Sequence, residues 1–278
     1  MDDSHSLGTV RTARSARERF VHSAAFEWLS RAGFVARALI YGIIGILAFK
    51  LAVGHGGTLT NQKGALRTVA HQPFGRLLLT VVAIGLGGYA LWRLVRASLG
   101  RGPEGSDSGL DRVAAFGSGI AYGLMCIIAV ELLRGSSGGG SSSPKKAAAG
   151  VLGWPAGQWI VGIAGAAAIG IGCYQGYRAV TKDFLDDSKT EEMSPPVKKA
   201  ITALGTVGHL ARMVVFGLVG VFLIKAAVDF NPRAAVGIDG ALAQIVRRPY
   251  GVPALAIVSA GLIAFALYSL SDARYRRI

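Results

Sequence analysis

Cysteine is nearly absent, with two residues in 278, Cys126 and Cys173. Neither belongs to a CxxC pair, so no disulfide framework or thiolate metal site is expected, and both read as small packing residues inside helices. The five histidines, His5, His22, His55, His71 and His209, fall in no HExxH or carboxylate–histidine spacing, so neither a metal nor another cofactor is expected. No GxSxG elbow occurs, and the runs Gly87-Gly88 and Gly138-Gly139-Gly140 lack the strand-then-helix context of a phosphate loop. Nothing here argues for an enzyme, although membrane enzymes can assemble sites from distant helices. Acidic residues are also scarce, 16 against 30 Lys and Arg, for a formal charge of +14. That charge alone would suit nucleic acid, but no recognition motif accompanies it. The basic residues cluster instead at the ends of apolar blocks, where they serve as interfacial anchors and topology signals.

What the sequence has is apolar length. Just over half of it (51%) is hydrophobic and 39 residues are glycine. The apolar residues form six blocks near 33–53, 75–95, 113–133, 157–178, 204–227 and 250–271, each long enough to cross a bilayer core of about 30 Å as a helix. The first follows a polar, arginine-rich tail and precedes five more spans, a pattern unlike a cleaved signal peptide. Taking the tail, the 2–3 and 4–5 loops and the C-terminus as one side gives it 19 of the 30 Lys and Arg and 13 of the 16 acids. The positive-inside rule counts Lys and Arg, so both termini are expected in the cytoplasm of a plasma-membrane protein, against a net-charge balance that runs the other way.

The blocks repeat. Gly33, Arg37, Tyr41 and Gly45 in span one have the spacing of Gly208, Arg212, Phe216 and Gly220 in span five, and span three carries Ala114, Ser118, Tyr122 and Cys126. Residues four apart share a helix face, so this is one stripe used three times. The even spans begin Gln72-Pro73-Phe74-Gly75, Trp154-Pro155-Ala156-Gly157 and Arg248-Pro249-Tyr250-Gly251, and an aromatic follows each glycine by seventeen residues: Trp92, Tyr174 and Tyr268. A short helical segment precedes each proline, at Gly64-Ala65-Leu66-Arg67, Lys146-Ala147-Ala148-Ala149 and Gly240-Ala241-Leu242-Ala243. It is too short to span, and is expected to lie at the membrane surface. The fold expected is therefore an all-α membrane protein, six transmembrane helices as three parallel two-helix repeats with a short interfacial helix in each. Its divisions are a basic tail (1–27) and repeats at 28–100, 110–188 and 198–278, with a flexible Gly/Ser tract from Gly135 to Pro144 and an acidic linker around Asp183 to Pro196.

Arg31-Ala32-Gly33-Phe34-Val35-Ala36-Arg37 leading to Ile40-Tyr41-Gly42, Gly64-Ala65-Leu66 leading to Gln72-Pro73-Phe74-Gly75, and the ending Ala273-Arg274-Tyr275-Arg276-Arg277 resemble the domain of unknown function 1206 family of actinobacterial membrane proteins. The resemblance covers the chain after about residue 27 and is weakest in the middle unit, where Ser118 replaces arginine. It implies a multi-pass membrane protein and no activity, ligand or catalytic residue.

Two sets of residues stand out as candidates. Arg37 and Arg212 lie inside their spans, where charge is a functional signal; the favoured reading is that they snorkel to headgroups or pack structurally. Lys50, Glu131 and Lys225 each follow the repeat aromatic by nine residues and would form an intramembrane charge cluster lining a central passage if a ring brought them together; the simpler reading is that they mark the interface. Arg37 and Lys50 are thirteen residues apart, some 140° around a helix at about 100° per residue, so they cannot both face one axis. Glycine pairs such as Gly119/Gly123 and Gly172/Gly176, with Gly162, Ala166 and Gly170, are expected to let helices pack closely. The leading functional expectation is a non-enzymatic protein with a structural, lipid-interacting or partner-binding role, its partners the bilayer and anionic headgroups. A solute or ion channel or carrier with a pseudo-threefold passage comes second; in outline it resembles mitochondrial carriers but lacks their proline–acid–base signature. A membrane-embedded enzyme is third.

Overall fold

The computed structural model describes residues 24–99, 101–102, 105–106, 109–135 and 144–277. The tail with His5 and His22 and most of the Gly/Ser tract lie outside the described residues. Six long helices are present: α1 (Ala24–Ala52), α3 (Gly75–Leu99), α4 (Gly109–Leu133), α6 (Gly157–Thr181), α7 (Pro195–Val228) and α9 (Gly251–Tyr275). Each is long and apolar enough to cross a membrane, since even 25 residues rise about 38 Å. Between the two spans of each repeat lies a nine-residue helix: α2 (Gln62–Ala70), α5 (Pro144–Leu152) and α8 (Ile238–Val246). Each turns one apolar face inward, through Ala65, Leu66 and Val69, through Ala148 and Leu152, or through Ile238, Ala241 and Leu242.

One turn is built three times where the surface helix hands over to the second span. Proline takes the second position; Phe74, Ala156 and Tyr250 take the third, with φ near +60°. The glycine N–H closes the turn on Gln72 O at 2.7 Å, Trp154 O at 2.9 Å and Arg248 O at 2.8 Å. Proline followed by a left-handed residue is the signature of a type II turn. The fourth residue must be glycine, because a Cβ on Gly75, Gly157 or Gly251 would collide with the carbonyl oxygen of Ala70, Val151 or Val246.

The long helices pack in the order α4, α3, α1, α9, α7, α6, so that the last span returns to the first. Three strong packings join consecutive repeats: α3 with α4, α6 with α7, and α9 with α1. Close approach is made by glycines. Gly165 and Gly220 each face the other's carbonyl oxygen, Gly45 lies on α9 near Ile263, and Gly119 lies under Leu94 of α3. Within repeats one and three the two spans also pack, α1 on α3 and α7 on α9. In the middle repeat they do not: among the described residues α4 and α6 make at most marginal contact. The bundle is thus an open ring of six helices, unclosed between α4 and α6 among the described residues, and that gap is its seam.

Aligning the repeats makes the seam visible residue by residue. On the first spans, Ala36 and Ala211 are buried and their counterpart Gly117 is exposed; Ile40 and Val215 are buried and Ala121 is exposed. On the second spans, Tyr89 and Phe265 are 0% and 1% exposed, against 47% for Ile171. Trp92 and Tyr268 are 4% and 2% exposed, against 49% for Tyr174.

Candidate functional site

The polar residues inside the ring gather near the face where the described chain begins and ends. Arg37 of α1 is buried beneath Phe34, Tyr89 and Phe265, its guanidinium 5.0, 6.0 and 5.3 Å from the three ring centres. It donates to Ser269 Oγ at 3.0 Å and to Asp272 Oδ2 at 2.5 Å, both on α9. Asp272 also lies 3.7 Å from Arg276, which is 2.7 Å from Asp187 in the linker; Arg178 at the end of α6 reaches the same Asp187 oxygen at 2.6 Å. Three cations and two anions from five segments therefore form one chain of charges. Burial opposes the charge of Arg276, and Asp187 and Asp272 more than reverse that effect, holding its pKa well above the ordinary arginine value.

Neighbouring segments fasten this layer. Arg31 caps the end of α9 through the carbonyls of Ala273 (2.6 Å) and Arg274 (2.9 Å). The linker runs antiparallel to the C-terminal segment, with Lys189 N donating to Tyr275 O at 2.7 Å and Arg277 N to Asp187 O at 3.0 Å. Arg277 reaches Glu191 at 3.0 Å, and Glu191's own backbone N–H and this guanidinium keep its carboxyl below its usual pKa. Phe184, from the linker, plugs the bundle against Gly205 and stacks on His209 at 5.0 Å. His209 is packed, with Nδ1 2.7 Å from Gly205 O, and no three His, Cys, Asp or Glu side chains among the described residues are grouped as metal ligands. Tyr268 OH, Asp272 Oδ1 and Arg276 Nε are buried without a hydrogen-bond partner among the described residues; an ordered water meets such groups in native structures.

Arg212 is the repeat counterpart of Arg37, and its surroundings differ. Its guanidinium sits 5.3 Å from the Tyr41 ring, 5.3 Å from Phe216 and 4.4 Å from Phe265. Gln175 occupies the repeat position of Ser269. With its amide oxygen turned to the guanidinium, the orientation the donor pattern selects, it accepts from Nε, NH1 and NH2 at 3.2, 2.6 and 2.9 Å. The repeat position of Asp272 is held by Arg178, which is engaged by Asp187. Among the described residues no carboxylate pairs with Arg212, and the side chain is only partly buried.

The sequence candidates thus separate. Arg37 and Arg212 are both drawn into the ring by aromatic faces and polar partners rather than snorkelling to headgroups. Lys50, Glu131 and Lys225 are all exposed near the opposite face, and among the described residues no ion pair joins them. The proposed pairing does not form: with Arg37 and Arg212 turned inward, the 140° offset turns Lys50 and Lys225 away from the axis, and Glu131 stands on the unsealed helix α4. Cys126 packs as expected, Sγ 3.3 Å from Ala83 O, whereas Cys173 is exposed. The residues missed are Asp272, Asp187, Arg178, Arg276 and Gln175. For Asp272, Arg178 and Gln175 the signal lay in the alignment of the second spans, where Asp272 is the one acid at a position that is otherwise Arg96 and Arg178.

Residues 32–100, 113–182 and 207–276 each match the family described as Domain of Unknown Function (DUF1206). The chain is 33% identical over 250 residues to the uncharacterized protein YxxB of Bacillus subtilis (strain 168), covering 89% of this chain and 90% of that protein. No solved structure matches.

Proposed function

The chain belongs to the DUF1206 family, and from the ring its three copies build we propose a non-enzymatic, lipid-interacting membrane protein whose interior opens sideways to the bilayer. The observation that carries this is the seam: positions that are buried in repeats one and three stand exposed in the middle repeat, as Gly117, Ala121, Ile171 and Tyr174. The seam is lined by apolar and small side chains, which acyl chains cover at no desolvation cost and which water wets poorly. The chain of charges from Arg37 to Arg178 and the Phe184 plug close the ring toward the termini-bearing face, which argues against a straight aqueous path. Outside the ring, near that face, an open groove of roughly 620 Å³ is lined by Lys182, Pro195, Lys198, Lys199, Thr202 and Thr206, among others. Its three ammonium groups suit anionic headgroups, each such residue near a charged leaflet contributing about 1 kcal/mol.

The test is spin labelling at Ile171 and Ala121 in reconstituted vesicles, with the native cysteines replaced. High collision with oxygen and low collision with a water-soluble nickel complex is the expected result. The reverse would support the second reading, an ion or solute carrier with water in the seam, which the partly buried guanidinium of Arg212 would then serve.

A further inference from the structure

Resting on that reading, we propose that Arg212 is the seat of a phosphodiester headgroup, belonging to an anionic lipid that enters through the seam between α4 and α6. The argument is a comparison within the molecule. At the interface of repeats three and one, the stripe arginine meets a hydroxyl (Ser269) and a carboxylate (Asp272) on the facing helix. At the interface of repeats two and three the same two positions are Gln175 and Arg178. The hydroxyl has a polar substitute and the carboxylate has none, so among the described residues the anion that neutralises Arg37 has no counterpart beside Arg212. A guanidinium carries five N–H donors, and one amide oxygen does not exhaust them. The aromatic faces of Tyr41, Phe216 and Phe265 hold the cation in place without neutralising it. Charge left uncompensated at this depth is unfavourable, and arginine matches phosphate oxygens in bidentate geometry.

The location selects a lipid. Gln175 lies six residues before the end of α6, about 9 Å below it at 1.5 Å per residue. A headgroup reaching Arg212 must therefore enter the ring, and the apolar seam beside it, at Ile171 and Ala121, leads acyl chains back to the bilayer.

The experiment uses the full chain purified in mild detergent, with phosphatidylglycerol, phosphatidylcholine and inorganic phosphate as probes, read by native mass spectrometry and thermal unfolding. Phosphatidylglycerol is expected to be retained and to raise the Tm; phosphatidylcholine and phosphate are expected to do neither. Gln175→Glu places a carboxylate against Arg212, and should cut phosphatidylglycerol retention about tenfold with the starting Tm kept or raised, a result loss of folding cannot mimic. Arg212→Lys, keeping the charge, should retain part of the binding, and Arg212→Gln none. Equal retention by the original chain and Gln175→Glu overturns the assignment. If inorganic phosphate protects as strongly as the lipid and Gln175→Glu removes both effects, the site takes free anions and the lipid assignment falls. Oxygen accessibility at Ile171 measured in the same variants separates the two ideas, because an open, lipid-filled seam with no anion dependence sinks only the role of Arg212.

Discussion

Two interfaces of one design end differently in this molecule. Where repeat three meets repeat one, Arg37 is buried, ion-paired to Asp272 and capped by the linker and C-terminal segment. Where repeat two meets repeat three, Arg212 has an amide partner and no carboxylate among the described residues. The difference follows from two substitutions along the second spans, serine against glutamine and aspartate against arginine. It teaches that the stripe arginine joins repeats at two of the three junctions, and that what faces it decides whether the junction is complete or left to a guest. The seam makes the same point with apolar residues: Tyr89 and Phe265 are covered, while Ile171, their counterpart, is not.

The largest effect is expected at the complete interface. Asp272→Ala leaves Arg37 and Arg276 buried without their shared carboxylate, and should cost about 3–5 kcal/mol in thermal or denaturant unfolding. Gln175→Ala removes one acceptor from a cation that is only partly buried, and should cost less, about 1.5–3 kcal/mol. Equal losses would erase the distinction between the two interfaces. Next come the glycines. Gly165→Ala drives a Cβ against the backbone of Gly220 and Ile224, with an expected loss of about 1–3 kcal/mol. Gly170→Ala, five residues along the same helix, meets nothing within 4 Å and should stabilise by up to about 1 kcal/mol through helix propensity. Smallest is Glu191→Gln at the surface of the complete interface. The folded pKa of Glu191 is depressed below 4.5, so its contribution is present above that pH and is lost as pH falls through the folded value. The gap in stability between the original chain and the variant should accordingly close in acid; a gap that widens there would contradict the Arg277 pairing.

Much of the architecture is legible in the sequence because its causes are local. Apolar length sets the spans, four-residue spacing sets the stripe, and Gln72-Pro73-Phe74-Gly75 with its two copies writes a turn whose glycine has a steric reason. The pairing of Arg37 with Asp272, 235 residues away, is set by α9 returning to α1, which no local pattern encodes. The same ring order placed Arg178 and Arg276 on Asp187. Depth alone made Lys50, Glu131 and Lys225 look like one layer, but direction around each helix separates them. The seam was the least legible feature, since Gly117, Ala121 and Ala167 read as ordinary small residues until their buried counterparts Ala36, Ile40 and Gly85 are set beside them.

The most direct test of the open seam is disulfide cross-linking of one repeat-equivalent pair in two repeats, with Cys126 and Cys173 replaced. In repeat three the pair is Ala211→Cys with Gly261→Cys, where a Cβ on Gly261 would stand 2.5 Å from that of Ala211, so the pair comes into bridging range once α7 and α9 ease slightly apart. In the middle repeat it is Gly117→Cys with Ala167→Cys, both exposed across α4 and α6. A bridge needs Cβ atoms about 4 Å apart. The expected result in vesicles is efficient oxidation of the first pair and little or none of the second. Equal cross-linking of both pairs would mean that the middle repeat closes like the others, and the lateral opening on which the functional reading rests would not exist.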